Sequence, residues 1–469
     1  MRQTSIFVGR RISESPVNSF FESSFLLAAL HDQDVLMTHK KVLSVSVLDQ
    51  SGSKTMKAIV AVRWGQCPLL VMLLIGFISP MILCPSPASA DVFLVGSVSV
   101  PGDTPDLSGL EGSIGKGTPH NLFGAIGGLE HLEGNNYLAL PDRGPLDGDS
   151  QFQCRFHQIE LTVTPGKSPT AGFRLLQTSM LKTEKGLPLV GALQAFDVKT
   201  PSRSLRFDPE GARVSSAGSV FISDEYGPFL YEFDLEGSRK RVFPTPKEFV
   251  IAHPSADPKQ EDELNSTGRS ANGGWEGIAL TPDERRLVLA MQKSLLQDRD
   301  VVEGNRMRSP VVRLFEVDLY SDSRRQFVYR LDDDKNGISE LLAVSNDEFL
   351  ILERDGLGGV DAKTKRIYRI MIKGATDVSA YKSLSGDNLA RNIVPVQKSL
   401  LIDLLDSRWG FAGPQCPEKW EGLAFGPTLP DGRRLLWVAV DNDYVPEAPT
   451  SFHAFAIDSA DLPNFQWKK

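Results

Sequence analysis

WEGIALTPD, residues 275–283, is the clearest copy of a unit that recurs along this 469-residue chain. Close copies read DPEGARV at 208–214 and WEGLAFGP at 420–427, and looser ones read GGLEHLEG at 127–134 and GISELLAV at 337–344. Each leads into an apolar run with a polar, mostly acidic end: ALPDRGP (139–145), FISDEYGP (221–228), LAMQKS (289–294), LILERDG (350–356) and VAVDND (438–443). A third segment alternates apolar and polar residues, as in FLYEFDLEG (229–237), VRLFEVDLYS (312–321) and FHAFAID (452–458). Such alternation marks half-buried strands, and the Gly, Pro, Asp and Ser around it mark turns. A fourth strand follows in four units, for example RQFVYRL at 325–331, but none follows residue 458.

A unit of this size buries its core only by stacking on copies of itself. The strand missing from the last unit can be supplied by VFLVGSVSV at 92–100, which is how a β-propeller joins its ends. The pattern therefore predicts an all-β propeller of five four-stranded blades, with the N-terminal strand of the mature chain completing the last. A sixth, degenerate blade within a long insertion is the alternative. Extended loops are expected at 253–274 and 375–397, and no long segment after residue 90 keeps a helical period.

The net charge of −8 argues against nucleic acid as a main partner, because backbone phosphates are bound by clustered Lys and Arg. With 41% hydrophobic and 23% charged residues, the chain has ample apolar material for a core. Residues 68–83, PLLVMLLIGFISPMIL, have the length of a signal-peptide apolar region; Lys57 and Arg63 precede them and Ala88-Ser89-Ala90 follows. Gly76 and Pro80 interrupt the run, which is short for a bilayer span. The expected organisation is an N-terminal extension over 1–55, a signal peptide over 56–90 cleaved near Ala90, and a single propeller domain over 91–469. The mature protein is then secreted or periplasmic, without stable membrane insertion, and a monomer.

In a propeller the first strand of each blade lines the central channel. The turn entering it and the turn leaving the second strand open on one face. Glu130, Glu210, Glu276, Glu340 and Glu421 are therefore expected to converge there, with Asp224 and Asp441 beside them. Two carboxylates about 4 Å apart repel by roughly 4 kcal/mol near a protein surface. They must protonate, pair with cations or hold a metal, and an all-oxygen ligand set points to Ca²⁺. The competing reading is structural, with each Glu bonding exposed N–H groups at a strand start. Asp142, Arg143, Glu225, Tyr226, Lys293, Glu353 and Arg354 occupy the exit turns and are the candidate substrate-binding residues. Their cations either neutralise the acids or hold an anionic group such as phosphate.

Export would allow a disulfide between Cys154 and Cys416, stapling the seam between the first and last blades; two isolated buried thiols is the other reading. Asp332-Asp333-Asp334-Lys335-Asn336-Gly337 looks like the start of a calcium loop, but Ala343 stands where an EF-hand needs its bidentate Glu. There is no GxSxG elbow, HExxH pair, P-loop or dinucleotide fingerprint.

Taken together, GGLE, LALPDRGP, RFDPEGARV, FISDEYGP, NGGWEGIAL, LILERDG and WEGLAFGP resemble the phytase-like, "esterase-like activity of phytase", domain family over roughly residues 120–460. The resemblance places Asp142, Arg143, Glu210, Asp224, Glu225, Glu276, Glu353 and Glu421 at signature positions. It implies an exported hydrolase acting on a small anionic ester, a phosphate or related ester. Glu130 falls where the family pattern leads one to expect a small residue such as Ser. Two alternatives stand beside the hydrolase: a non-enzymatic binding propeller with structural calcium, and a metal-dependent lactonase.

Overall fold

The computed structural model describes residues 91–469 apart from 165–169, 198–199, 201–202, 304, 386–388 and 468–469, and three strands nearer the N-terminus. The chain divides into two compact units, residues 1–88 and 89–469. In the first, Leu26–Leu27, Lys41–Leu48 and Thr55–Val62 form an antiparallel sheet. The expected signal-peptide run at 68–83 and its cleavage site at 88–90 lie outside the described residues. No helix among the described residues is long and apolar enough to cross a membrane.

The second unit contains five four-stranded antiparallel sheets arranged as propeller blades. Blade 1 runs Ile126–His131, Asn136–Pro141, Arg155–Thr164 and Thr170–Met180. Blade 2 runs Pro209–Val214, Val220–Asp224, Phe229–Phe233 and Arg239–Phe243. Blade 3 comprises Trp275–Leu280, Arg286–Met291, Val311–Asp318 and Arg324–Arg330. Blade 4 comprises Gly337–Ala343, Glu348–Arg354, Lys365–Met371 and Gln397–Asp403. Blade 5 takes Lys419–Gly426, Arg434–Asp441 and Thr450–Ile457 from the C-terminal end and Val92–Val100 as its outer strand. In that last pairing Thr450 faces Val100 and Ile457 faces Val92.

The first strands of blades 1, 2 and 3 are buried along their whole length because they have blade neighbours on both sides. Their approach is set by the glycine that follows the recurrent Glu. A Cβ built on Gly277 would lie 2.4 Å from the Leu341 nitrogen of blade 4, and one on Gly211 would lie 2.8 Å from Ile278 of blade 3. The Glu-Gly pair thus combines a carboxylate with a close backbone contact in one dipeptide. Trp275 packs on Phe249 and Phe315, with ring centroids 4.5 and 5.5 Å away, and Trp420 on Phe411 and His453 at 4.9 and 5.1 Å. Both tryptophans are core residues between strands.

The end of the chain covers the channel on the side opposite the acidic turns. Gln466 donates its N–H to the Val344 carbonyl at 2.8 Å, Phe465 meets Phe425 edge-on, and Trp467 meets His131 edge-on. Arg213 fills the channel interior beneath, donating to the carbonyls of Leu129, Ala212 and Leu341.

The expected disulfide is not formed: Cys154 and Cys416 are both free thiols. The reason is which side of its blade each thiol faces. Cys154 packs with Phe156, Leu181 and Phe207, on the side of blade 1 that meets blade 2, and its Sγ lies 3.5 Å from the Phe207 carbonyl. Cys416 sits where the chain enters blade 5 from blade 4; its Sγ lies 3.5 Å from the Pro417 carbonyl, and its thiol feels the ammonium of Lys365 in blade 4. Neither points at the seam between blades 5 and 1.

Gly277→Ala should lower stability by on the order of 2–4 kcal/mol, because the added methyl meets backbone that cannot move aside; a melting temperature equal to that of the unmodified chain would show that the strands are not in this contact. Thermal unfolding should also be the same with and without reductant. A drop corresponding to about 2–4 kcal/mol on reduction would instead reveal a bridge.

Candidate functional site

Every first strand is irregular near its start. Register shifts lie between Trp275 and Ile278, between Trp420 and Leu423, between Ile126 and Gly128, and between Ile338 and Glu340, and the strand opposite Ile222 to Asp224 shifts in blade 2. A bulge bends its strand and re-aims the side chain it carries. Glu210, Glu276 and Glu421 occupy these bulges, and Gly127 and Ser339 occupy the matching positions in blades 1 and 4. The five-glutamate ring is therefore a three-glutamate arc with two small residues. A Cβ on Gly127 would lie 3.3 Å from Oε2 of both Glu210 and Glu421, so the glycine makes room between them. Glu340 lies one residue further along its strand and pairs with Arg213 at 3.1 Å; Glu130, three beyond Gly127, lies 3.9 Å from Arg213. Both belong to the channel interior.

Two acidic groups flank the mouth. Asp208, Glu210 and Glu225, all buried, each present an oxygen within 4.8 Å of the others. Arg143 reaches into this group from blade 1: its backbone N–H donates to Asp208 Oδ1 at 3.0 Å, and its Nη1 donates to Asp208 Oδ2 and, at 3.4 Å, to Glu225 Oε2. Glu276 stands next to it and accepts from Gln292 Nε2 at 2.8 Å. Among the described residues, Glu225 Oε1, Glu276 Oε2 and Gln292 Oε1 are buried and have no hydrogen-bond donor. Across the mouth, Asp142, Asp441 and Asp443 form the second group. Lys419 sits among them, with Nζ 3.0 Å from Asp441 Oδ2, 3.9 Å from Asp142 Oδ2 and in contact with Asp443. Arg354 joins the arc to blade 4, donating to Glu421 Oε1 at 2.6 Å and to Ser339 Oγ at 2.8 Å.

Burial and crowding raise the affinity of these acids for protons. Burial, then Glu276, Asp208, Glu225 and Glu421, holds Glu210 well above the usual carboxylate range. Glu276 is raised by burial and by Glu225 and Glu421. Burial and the charge of Asp208 push Glu225 up to about 7, against the pull of Arg143 and Lys293. Burial, then Asp441, does the same to Asp142, and Lys419 opposes it. Burial lowers the pKa of the Lys293 ammonium despite the nearby Glu225 and Glu276.

Beside the acidic mouth a cleft of about 540 Å³ opens over blades 3 and 4. Lys293, Arg308, Lys335, Arg354, Lys363 and Lys419 line it, against Asp333, Asp355 and Glu418. Asp355 is already neutralised by Lys365, whose Nζ donates to its Oδ1 at 2.8 Å. The cleft is thus cationic where the mouth is anionic.

Three residues expected at the site serve the fold. Asp224 accepts the backbone N–H groups of Asp208, Tyr226 and Gly227 and holds the exit turn together; burial, offset in part by those bonds, pushes its carboxyl up to about 7. The Tyr226 hydroxyl donates to the Gly191 carbonyl at 3.1 Å. Glu353 is turned away from the mouth and accepts from Tyr329, Asn336, Lys398 and the Asp332 N–H. Asp208 and Lys419 are site residues that the sequence pattern did not single out. Each stands next to a motif already in view: Asp208 opens DPEG and Lys419 precedes Trp420-Glu421.

Glu276→Gln exchanges a buried carboxylate with one donor-less oxygen, Oε2, for an amide. It should raise the melting temperature of the chelator-treated protein, and a melting temperature equal to that of the unmodified chain would show that the carboxylate is compensated within the fold.

Among solved structures, similarity reaches the luciferin-regenerating enzyme (10% identity, TM-score 0.30, 72% of this chain and 92% of that one). It also reaches the virginiamycin B lyase of Staphylococcus aureus (10% identity, TM-score 0.29, 71% and 94%). A protein of Arthroderma benhamiae named "Uncharacterized secreted protein" is 26% identical over 406 residues, covering 67% of this chain and 79% of its own. Residues 121–444, which hold both acidic groups and the cationic cleft, match the family described as Phytase-like, esterase-like activity of phytase, and the chain belongs to that family.

Proposed function

We propose that this chain is an exported hydrolase of phosphate or related esters with a divalent-cation site, Ca²⁺ by its ligand chemistry, at the channel mouth. The observation that carries the reading is the pair of buried, donor-less carboxylate oxygens, Glu225 Oε1 and Glu276 Oε2, beside a cleft lined by cations. Asp208, Glu210, Glu225 and Glu276 carry four negative charges when ionised, and only Arg143 forms ion pairs among them. The excess negative charge calls for a bound cation, and a donor set made only of oxygens suits a hard divalent one. Those four acids would hold it. When bound, such an ion polarises a substrate oxygen and lowers the pKa of an attached water.

The chain's own residues supply the rest. Lys335, Lys363 and Arg354 face the cleft and would hold an anionic group by charge-assisted hydrogen bonds. Arg354 also restrains Glu421, so it couples the anion shelf to the acidic arc. Lys419 keeps Asp142 and Asp441 together on the far side of the mouth. Export is supported by the signal-like run at 68–83 and by the name of the Arthroderma relative.

The purified chain should hydrolyse one or more of phytate, nucleotides and p-nitrophenyl phosphate, and chelator should abolish turnover. Activity on lactones alone would favour the lactonase. No turnover with any ester, while chelator still lowers the melting temperature, would leave a calcium-bound binding propeller.

Stability of the chelated protein should fall as pH rises. Asp224 and Glu225 have ordinary values of 3.8 and 4.5, and burial pushes both up to about 7. Between those limits the native state keeps protons that the unfolded chain has released, so their stabilising contribution is lost as pH passes through about 7. In chelator the melting temperature at pH 8 should lie below that at pH 5, and Ca²⁺ should shrink the difference because it binds the ionised acids. A flat profile in chelator would mean that the acids are compensated within the protein.

A further inference from the structure

The cationic cleft continues into a smaller chamber of about 100 Å³ between the 270–271 turn and the loops at 308–309 and 334–336. Lys293, Arg308 and Asn336 line both spaces, so the two adjoin. Three serines, Ser270, Ser294 and Ser309, also line the chamber, and all are buried. Ser270 is 1% exposed, and its Oγ has no hydrogen-bond partner among the described residues. Leaving a buried hydroxyl unpaired costs about 1–3 kcal/mol, a cost that a ligand oxygen would remove.

The charges in the chamber are only partly matched. Arg299 is committed to Asp262 at 3.1 Å, and Asp262 also accepts the Ala271 N–H at 2.6 Å. Asp334 lies beside Asp333 and feels the charge of Arg308. Lys293 donates to the Asn272 carbonyl at 2.8 Å, and neither it nor Arg308 has a carboxylate within ion-pair distance among the described residues. Hydroxyl donors with a guanidinium and an ammonium at the opening suit a compact oxyanion, and an apolar group would strand them.

We infer that this chamber is a second oxyanion subsite, and that the ester taken at the mouth carries two anionic groups. One rests on the Arg354 side of the cleft; the other enters between Ser270 and Arg308. The substrate class rests on the hydrolase reading above, whereas the subsite itself rests only on the chamber.

The test is calorimetric titration of the full chain with inorganic phosphate. Two binding events per chain are expected; Arg308→Gln and, separately, Ser270→Ala should each remove or weaken one of them at least tenfold, while Arg354→Gln acts on the other. Arg308 is exposed, so its substitution leaves the fold intact and serves if the buried Ser270→Ala variant unfolds. A single event in the unmodified chain, or two events untouched by Arg308→Gln, overturns the subsite. Two phosphate sites without turnover of any ester would sink the hydrolase reading and leave the subsite standing. Chelator-sensitive turnover with one phosphate site would do the reverse.

Discussion

With a Cβ on Gly277 placed only 2.4 Å from the Leu341 nitrogen, the first strands of neighbouring blades must meet through bare backbone. That contact sets the bore of the channel, and it recurs at Gly211 against Ile278. The bulge that accompanies it turns the adjacent carboxylate toward the axis. Crowding of acids at the mouth is therefore a consequence of how the blades are packed. Any cation, proton or arginine found there answers a charge problem that the packing creates.

The two sides of the mouth answer it differently. On the blade 5 side, Lys419 stands between Asp142 and Asp441, and Arg354 takes Glu421. On the blade 2 and 3 side, Arg143 satisfies Asp208 but leaves Glu225 Oε1 and Glu276 Oε2 without donors. Unpaired buried acids are costly unless protonated or bound to a cation. This asymmetry is the ground for proposing an ion against blades 2 and 3, next to the cationic cleft. The other half of the mouth holds itself together with its own side chains.

Much of the fold was legible because each blade repeats the same strand signals, and because Val92–Val100 was the one strand left to complete the last blade. The site was legible only where the repeat is strict. Glu210, Glu276 and Glu421 precede glycine and sit in the bulge, whereas Glu130 and Glu340 resemble them in sequence but are offset by three residues and one. An offset of that size changes which end of the channel a side chain faces, and only strand pairing reveals it. The cysteines show the same limit. Blades 1 and 5 adjoin, yet each thiol lies on the side of its blade away from the seam, a matter of facing that spacing does not encode.

By itself the sequence determined the architecture, since a repeat that cannot bury its core alone must stack into a closed ring, and it determined that acidic groups would gather at one face. The tertiary structure decided which of them share a site. It brought Glu225 against Asp208 and Glu210, assigned Glu353 to a hydrogen-bond network inside the fold, and opened a cationic cleft over blades 3 and 4. Those outcomes depend on bulge geometry, on the direction of each side chain and on the partner it finds across a blade boundary. These are contacts between residues distant in sequence, and no local pattern carries them.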